Sequence, residues 1–395
     1  VPIVTGGPLR LALLVLVAGP LSAACGGGPR AAVNGDGGNN DGGHGVLTGV
    51  TAVTAGWGDS CVLLADGRVL CWGDNLFGKL GSAQPAMSPF PLTVGGLNGV
   101  SALSASNVHT CALLAGGGVS CWGDNGLGEL GDGTMTSSPA PVRVSGLTGA
   151  VGISAGLGRT CAVLVDGTVH CWGNSDLGDG STASSPVPVG VSGLADATEV
   201  SIENYHACAL RAGGAVVCWG SNFTGQLGNG SVTDSAVPVA VTGLAGATGV
   251  SVGGNVRTCA VLADGTCRCW GENLSGELGD GTTTTSYVPV AVSGLTNAID
   301  VQAGVGHNCA LLVDGTVACW GDNSVGQLSN GSMANSPVPV SVSGVSGAVA
   351  LAVGGTHACA LLTGGTVRCW GDNRSGQLGN GSTAPSDVPV DVQGP

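Results

Sequence analysis

Short apolar runs alternate with turn residues along most of the chain, and the alternation repeats. Residues 309 to 328, CALLVDGTVACWGDNSVGQL, show the unit: an apolar run from Ala310 to Val313, the pair Asp314-Gly315, a second run Thr316-Val317-Ala318, then Cys319-Trp320. Apolar runs this short, bounded by Asp-Gly, predict a β-hairpin and not a helix. The Cys-Trp pair recurs, with tryptophans at Trp72, Trp122, Trp172, Trp219, Trp270, Trp320 and Trp370, separated by 50, 50, 47, 51, 50 and 50 residues. Seven copies of one unit therefore fill the chain from about residue 46 onward.

Within each copy a second cysteine lies ten positions earlier, giving Cys61 and Cys71, Cys111 and Cys121, Cys161 and Cys171, Cys208 and Cys218, Cys259 and Cys269, Cys309 and Cys319, Cys359 and Cys369. A glycine always stands six residues after the first cysteine, as at Gly315. That placement suits a three-residue hairpin loop ending in a left-handed residue. With Val313-Asp314-Gly315 as the loop, Leu312 faces Thr316, Leu311 faces Val317 and Cys309 lies opposite Cys319. Opposed residues have Cα atoms roughly 4.5–5.5 Å apart, inside disulfide range, so the spacing predicts seven cross-strand disulfides. Such bonds need an oxidising compartment. Cys267 stands where six other copies carry valine, which makes it a buried apolar substitute with a free thiol.

Two further stretches complete each copy, one like Ser336 to Gly344 (SPVPVSVSG) and one like Ala348 to His357 (AVALAVGGTH). Alternating Pro337 and Pro339 remove donors from one side of a strand, which places that strand at a sheet edge. Each copy thus has four strands, and four-stranded units of this length predict a β-propeller, with a β-solenoid as the alternative. The first copy reads as lacking the Pro-Val-Pro-Val strand, while Ser386 to Gln393 (SDVPVDVQ) is left over. The expectation is that these N- and C-terminal strands share one blade, which removes free edges.

Composition narrows the function. With 75 Gly and 9% charged residues the chain is turn-rich and strand-rich, and its net charge of −14, with no basic run, argues against nucleic acid as a partner. His109, His206, His307 and His357 each precede a first cysteine by two residues, but three copies carry Asp59, Arg159 or Arg257 there, and the close cysteine spacing of zinc sites is missing, so neither metal nor cofactor is expected.

The first 24 residues read as an export signal: Arg10, an apolar run from Leu11 to Ala18, then small residues Ser22-Ala23-Ala24. The end of this segment resembles a bacterial lipoprotein signal, which implies lipidation at Cys25; plain cleavage after Ala24 is the alternative. Residues 25–45, rich in Gly and Asn, read as a flexible tether to a propeller domain over 46–395, with His44 a solvated tether residue.

The pattern His-x-x-Ala-Leu, Asp-Gly, Trp-Gly-x-Asn-x-x-Gly-Gln-Leu-Gly, seen from His357 to Ser382 as HACALLTGGTVRCWGDNRSGQLGNGS, resembles the regulator of chromosome condensation repeat family. The resemblance covers residues 46–395 and implies an all-β, seven-bladed propeller of four-stranded antiparallel blades. Its founding member is a nuclear exchange factor for a small GTPase, whereas this chain looks exported and has no basic tail. Strand alternation puts the Asp-Gly hairpins on one face, and the loops before each first cysteine with the Trp-Gly-Asp-Asn loops on the other. On that second face most positions repeat, but Trp57, Asp59, Asn107, Leu157, Arg159, Tyr205, Val256, Arg257, Leu76-Phe77, Phe223 and Arg374 vary. Trp, Tyr and Arg favour binding hot spots, which makes Trp57, Asp59, Phe77, Asn107, Arg159, Tyr205, Phe223, Arg257 and Arg374 the candidate binding residues. The recurrent tryptophans read as packing residues and the Asp-Asn elements as turn chemistry.

No paired carboxylates, Ser-His-Asp set or arginine cluster marks a catalytic centre. The reading is a monomeric, non-enzymatic module that binds protein or carbohydrate at the bacterial cell envelope, or after secretion, and meets the membrane only through its lipid. A carbohydrate-active lyase or glycosidase and a nucleotide exchange factor are the alternatives.

Overall fold

Apolar runs split by Asp-Gly fold into hairpins in every copy. The computed structural model describes residues 44–254 and 256–395, and the signal segment, Cys25 and the tether up to residue 43 lie outside the described residues. Seven sheets of four consecutive antiparallel strands form the ring of a β-propeller, with one short 3-10 turn at Leu76–Gly78 as the helical element among the described residues. Blades 1 to 7 begin at Val50, Val100, Ala150, Ala197, Ala247, Ala298 and Ala348. Among the described residues no helix is long and apolar enough to cross a membrane.

The hairpin register is the one the cysteine spacing predicts. Cys309 pairs with Cys319 and Leu311 with Val317, the Leu312 amide donates to the Thr316 carbonyl at 2.9 Å, and Gly315 has φ +77°. Six sister hairpins repeat it, and all seven cysteine pairs are disulfides with Cα atoms 4.0–4.1 Å apart, somewhat inside the expected spacing. Among the described residues Cys267 is the free, buried cysteine, opposite Val261.

Closure differs from the expected shared blade. Ser386–Asp391 pairs with Val367–Gly371 of its own copy, and blade 1 has its own outer strand at Met87–Thr93. Its Ser88-Pro89-Phe90-Pro91 lacks the Val-Pro-Val wording of the other copies, so the pattern hides it. The termini meet through one bridge, Val46 to Gln393, flanked by the Leu47 amide donating to the Val392 carbonyl at 2.8 Å. His44, read as a solvated tether residue, is exposed but stacks on Phe90 with ring centroids 4.3 Å apart.

The core lies between blades. Each of seven apolar clusters joins one blade's disulfide hairpin to the tryptophan of the next; the one that closes the ring sets Cys359, Leu361 and Val367 of blade 7 against Val62, Leu70 and Trp72 of blade 1. The innermost strands surround an axial cavity of about 290 Å³. Thr54, Ser104, Ser154, Ser201 and Ser251 accept the amides of Ala105, Ala155, Ile202, Val252 and Ala303 in the next blade at 2.9–3.2 Å, which ties neighbouring innermost strands together.

Candidate binding face

One face of the ring carries the loops between the first and second strands and those between the third and fourth. The third-to-fourth loop is shaped by its asparagine: Asn323 Oδ1 accepts the Leu328 amide at 2.9 Å, and its Nδ2 donates to the carbonyls of Ser332 and Ala334 at 2.7 and 3.1 Å. The loop then presents the Gln327 carbonyl to the next blade, where Trp370 Nε1 donates to it at 3.0 Å. The same bond recurs from Trp72, Trp122, Trp172, Trp270 and Trp320 at 2.8–2.9 Å. Glycine at the loop's end makes room for the indole, since a Cβ on Gly131 would sit 2.6 Å from Trp172 Nε1. The repeated residues are thus spent on joining blades. Trp219 is the exception: the copy before it is three residues shorter, the Asp176 carbonyl at the corresponding place accepts from Arg159 at 3.3 Å, and Trp219 Nε1 is buried without a partner.

The residues two positions before each first cysteine also belong to the seams. His109, His206 and His357 are fully buried, and their Nε2 atoms lie 2.7–2.8 Å from the hydroxyls of Thr160, Thr258 and Ser60 in the next blade. Those hydroxyls donate to the carbonyls of Glu129, Gln226 and Gln377 at 3.0–3.1 Å, so each imidazole carries its proton on Nε2. Burial holds all four histidines below the usual imidazole range, at about 4 for His109 and His357 and about 3 for His206 and His307.

Asp59, Arg159 and Arg257, expected at the binding surface, are buried instead. Lys79 Nζ lies 2.9 Å from both Asp59 and Asp74 and donates to the Asn107 carbonyl of blade 2 at 2.9 Å. Burial pushes Asp59 up to about 6 although Lys79 pulls the other way. Burial also draws on Lys79, but the two carboxylates outweigh it and hold the ammonium above its ordinary value. Arg159 donates to the carbonyls of Asp176, Glu203 and Asn204 at 3.3, 3.2 and 2.5 Å, and burial lowers it to about 10. Arg257 donates to the carbonyls of Gly304, at 2.7 Å, and Val305. Variation at this position therefore reports which side chain spans a seam, not which one meets solvent.

Trp57, Phe77, Tyr205, Phe223 and Arg374 are exposed and Asn107 is half-buried. Tyr205 and Phe223 meet edge to face with centroids 5.8 Å apart. Trp57 and Glu203 line a small recess at the axial mouth, beside Gly254, Gly304 and Gly354. Burial raises the Glu203 carboxyl to about 8, against the pull of the Asn204 amide and of Arg159. The structure adds Leu127 and Leu274, 42% and 71% exposed, which a search for aromatic and arginine residues passes over. Leu274 follows the loop asparagine, the position of Phe223 and Arg374, so alignment of the copies reaches it. Among the described residues no group of three His, Cys, Asp or Glu is placed to hold a metal.

Two models of the regulator of chromosome condensation (RCC1) repeat match the chain, one over residues 50–79, 100–129, 150–179, 199–226, 298–327 and 348–377, the other over 66–113, 213–260, 264–311, 314–361 and 364–395. No curated protein matches in sequence. Among solved structures, Prp20p of Saccharomyces cerevisiae superposes with a TM-score of 0.74 at 20% identity, over 82% of this chain and 86% of that one. Yeast RCC1 (Prp20) in its complex with Kap60 gives 0.73 at 18%, over 93% and 91%. Human WBSCR16 gives 0.72 at 21%, over 80% and 87%. At these identities the likeness is one of fold. Matched over more than half its length by one repeat model and folded as seven such blades, the chain belongs to the regulator of chromosome condensation repeat family.

Proposed function

We propose that this propeller is an exported, non-enzymatic module that binds a protein through the loop face, held at the bacterial cell envelope by a lipid on Cys25 once residues 1–24 are removed, with residues 25–45 as the tether. The observation that carries the reading is the division of labour on that face. Repeated residues and buried charges join the blades, while Trp57, Phe77, Tyr205 and Phe223 keep 41–58% of their surface open to solvent. Large aromatic side chains in the open are the residue types that anchor interfaces. Seven disulfides favour an oxidising compartment and so favour export. Family precedent supports a protein partner: Prp20p is described for its binding to Gsp1p and histones, and yeast RCC1 for its complex with Kap60.

The test is capture from cell-envelope and culture extracts with the full chain and with a Trp57→Ala, Tyr205→Ala, Phe223→Ala variant. Loss of specific partners in the variant is expected. Equal capture by both proteins removes the loop face as the binding surface, and glycan turnover or nucleotide exchange by the purified chain overturns the non-enzymatic reading.

A further inference from the structure

The chemistry of that partner is written in how charge divides between the two faces. On the hairpin face both signs are at the surface: Arg68 pairs with Asp66, Arg211 with Asp196 and Arg368 with Asp391, each at 2.8 Å, while Arg143 and Arg268 on one side and Asp166, Asp264 and Asp314 on the other are solvent-accessible outside any ion pair. On the loop face the cations are withdrawn. Lys79, Arg159 and Arg257 are at most 2% exposed and point into seams. Arg374 stands in solvent but is paired with Asp372 at 2.8 Å. The acids of the same loops stay at the surface: Asp124, Asp176, Glu272 and Asp322 are all partly exposed and none has a cation in an ion pair. Among the described residues the loop face therefore presents unpaired acids and no unpaired exposed cation, interleaved with exposed Phe223, Leu274 and Leu127.

Resting on the docking reading above, we infer that the loop face takes a cationic, amphipathic segment of a protein, with lysine or arginine meeting the acidic loops and apolar side chains covering the aromatic and leucine residues between them. Complementary charge of this kind steers encounter and fixes orientation, and the apolar contacts supply retention. An anionic partner, nucleic acid included, meets repulsion at the same surface.

The probe is a synthetic amphipathic peptide of lysine and leucine, compared with versions carrying Glu for Lys and Ser for Leu. Binding to the full chain is measured alongside two charge variants that remove equal charge: Asp124→Asn, Glu272→Gln, Asp322→Asn on the loop face, and Asp66→Asn, Asp166→Asn, Asp264→Asn on the hairpin face. Asp124→Asn, Asp166→Asn and Asp264→Asn keep the Oδ1 acceptor of their turns. Asp322→Asn and Asp66→Asn each give up bonding at Oδ2, to Gln327 and to Arg68, so the two variants are matched in this too, and disulfide content and melting temperature check the fold. Expected is a loss of about tenfold or more in affinity for the loop-face variant only, weaker binding of both altered peptides, and weakening as ionic strength rises from roughly 0.05 M to roughly 0.5 M. Equal loss in both variants, or equal binding of the Glu peptide, overturns the inference. If natural partners captured through Trp57, Tyr205 and Phe223 are indifferent to the loop-face charge variant, the cationic partner fails while docking stands; if capture is indifferent to the aromatic variant as well, both fail.

Discussion

At position 307 a buried imidazole has lost the neighbour its sisters have. Ser60, Thr160 and Thr258 supply hydroxyls to His357, His109 and His206, but the residue opposite His307 is Ala358, and both His307 ring nitrogens are buried without a hydrogen-bond partner. Ala358→Ser restores the arrangement seen at Ser60 and is expected to raise stability by about 1 kcal/mol, the net worth of one buried hydrogen bond, read by denaturant unfolding without reductant. The same ring of residues sets the response to pH. All four histidines are neutral in the fold and titrate there at about 3 to 4, so the unfolded chain binds more protons once pH drops below an imidazole's ordinary 6.5. Their contribution is lost as pH falls from 6.5 toward 4. Asp59 and Glu203 are raised, to about 6 and about 8, and act oppositely: the fold holds their protons longer, so their contribution falls as pH rises. Four imidazoles, with the lowered carboxyls of Asp66, Asp166, Asp264, Asp314 and Asp372 acting in the same direction, outweigh the raised Asp59, Glu129 and Glu203 below 6.5, and just above it Glu203 acts. The melting temperature is therefore expected to peak near pH 6.5 and to fall more steeply on the acid side.

At the scale of the element, the hairpin was legible in full because its register follows from arithmetic: three loop residues fix which cysteines face. The third-to-fourth loop was legible as turn chemistry, but not as the acceptor for the next blade's tryptophan, because no spacing within one copy reveals a bond to another. The short loop before blade 4 tests that bond. Replacing Trp320 by Phe removes one of the two donors to the Glu277 carbonyl and leaves it Asn308 Nδ2 alone, whereas Trp219→Phe removes an indole N–H that has no partner. Trp320→Phe is expected to cost about 1–2 kcal/mol more than Trp219→Phe in unfolding experiments, and equal costs contradict the role given to the loop carbonyls. The outer strand of blade 1 escapes the Pro-Val-Pro-Val pattern because Phe90 stands where five other copies carry valine, although its place after Cys71-Trp72 marks it.

At the scale of the molecule, repetition made the ring and its two faces predictable, because antiparallel strands alternate direction whatever their side chains. The burial of Asp59, Arg159 and Arg257 was not predictable that way. Arg159 and Arg257 reach carbonyls 44 to 48 residues away in the next blade, and Asp59 holds Lys79, which reaches one 28 residues away, distances along the chain that only the packing of blade on blade makes short. Closure also sorts the charges, turning cations into seams and leaving acids and aromatic residues on the loop face. The central claim is that this face receives a protein. Hydroxyl-radical footprinting of the full chain, free and bound to a partner it captures, tests it most directly. The account predicts protection of Trp57, Tyr205 and Phe223 with Val165 and Val313 at the hairpin tips unchanged; protection of Val165 and Val313 with the three aromatic side chains still reactive would contradict it.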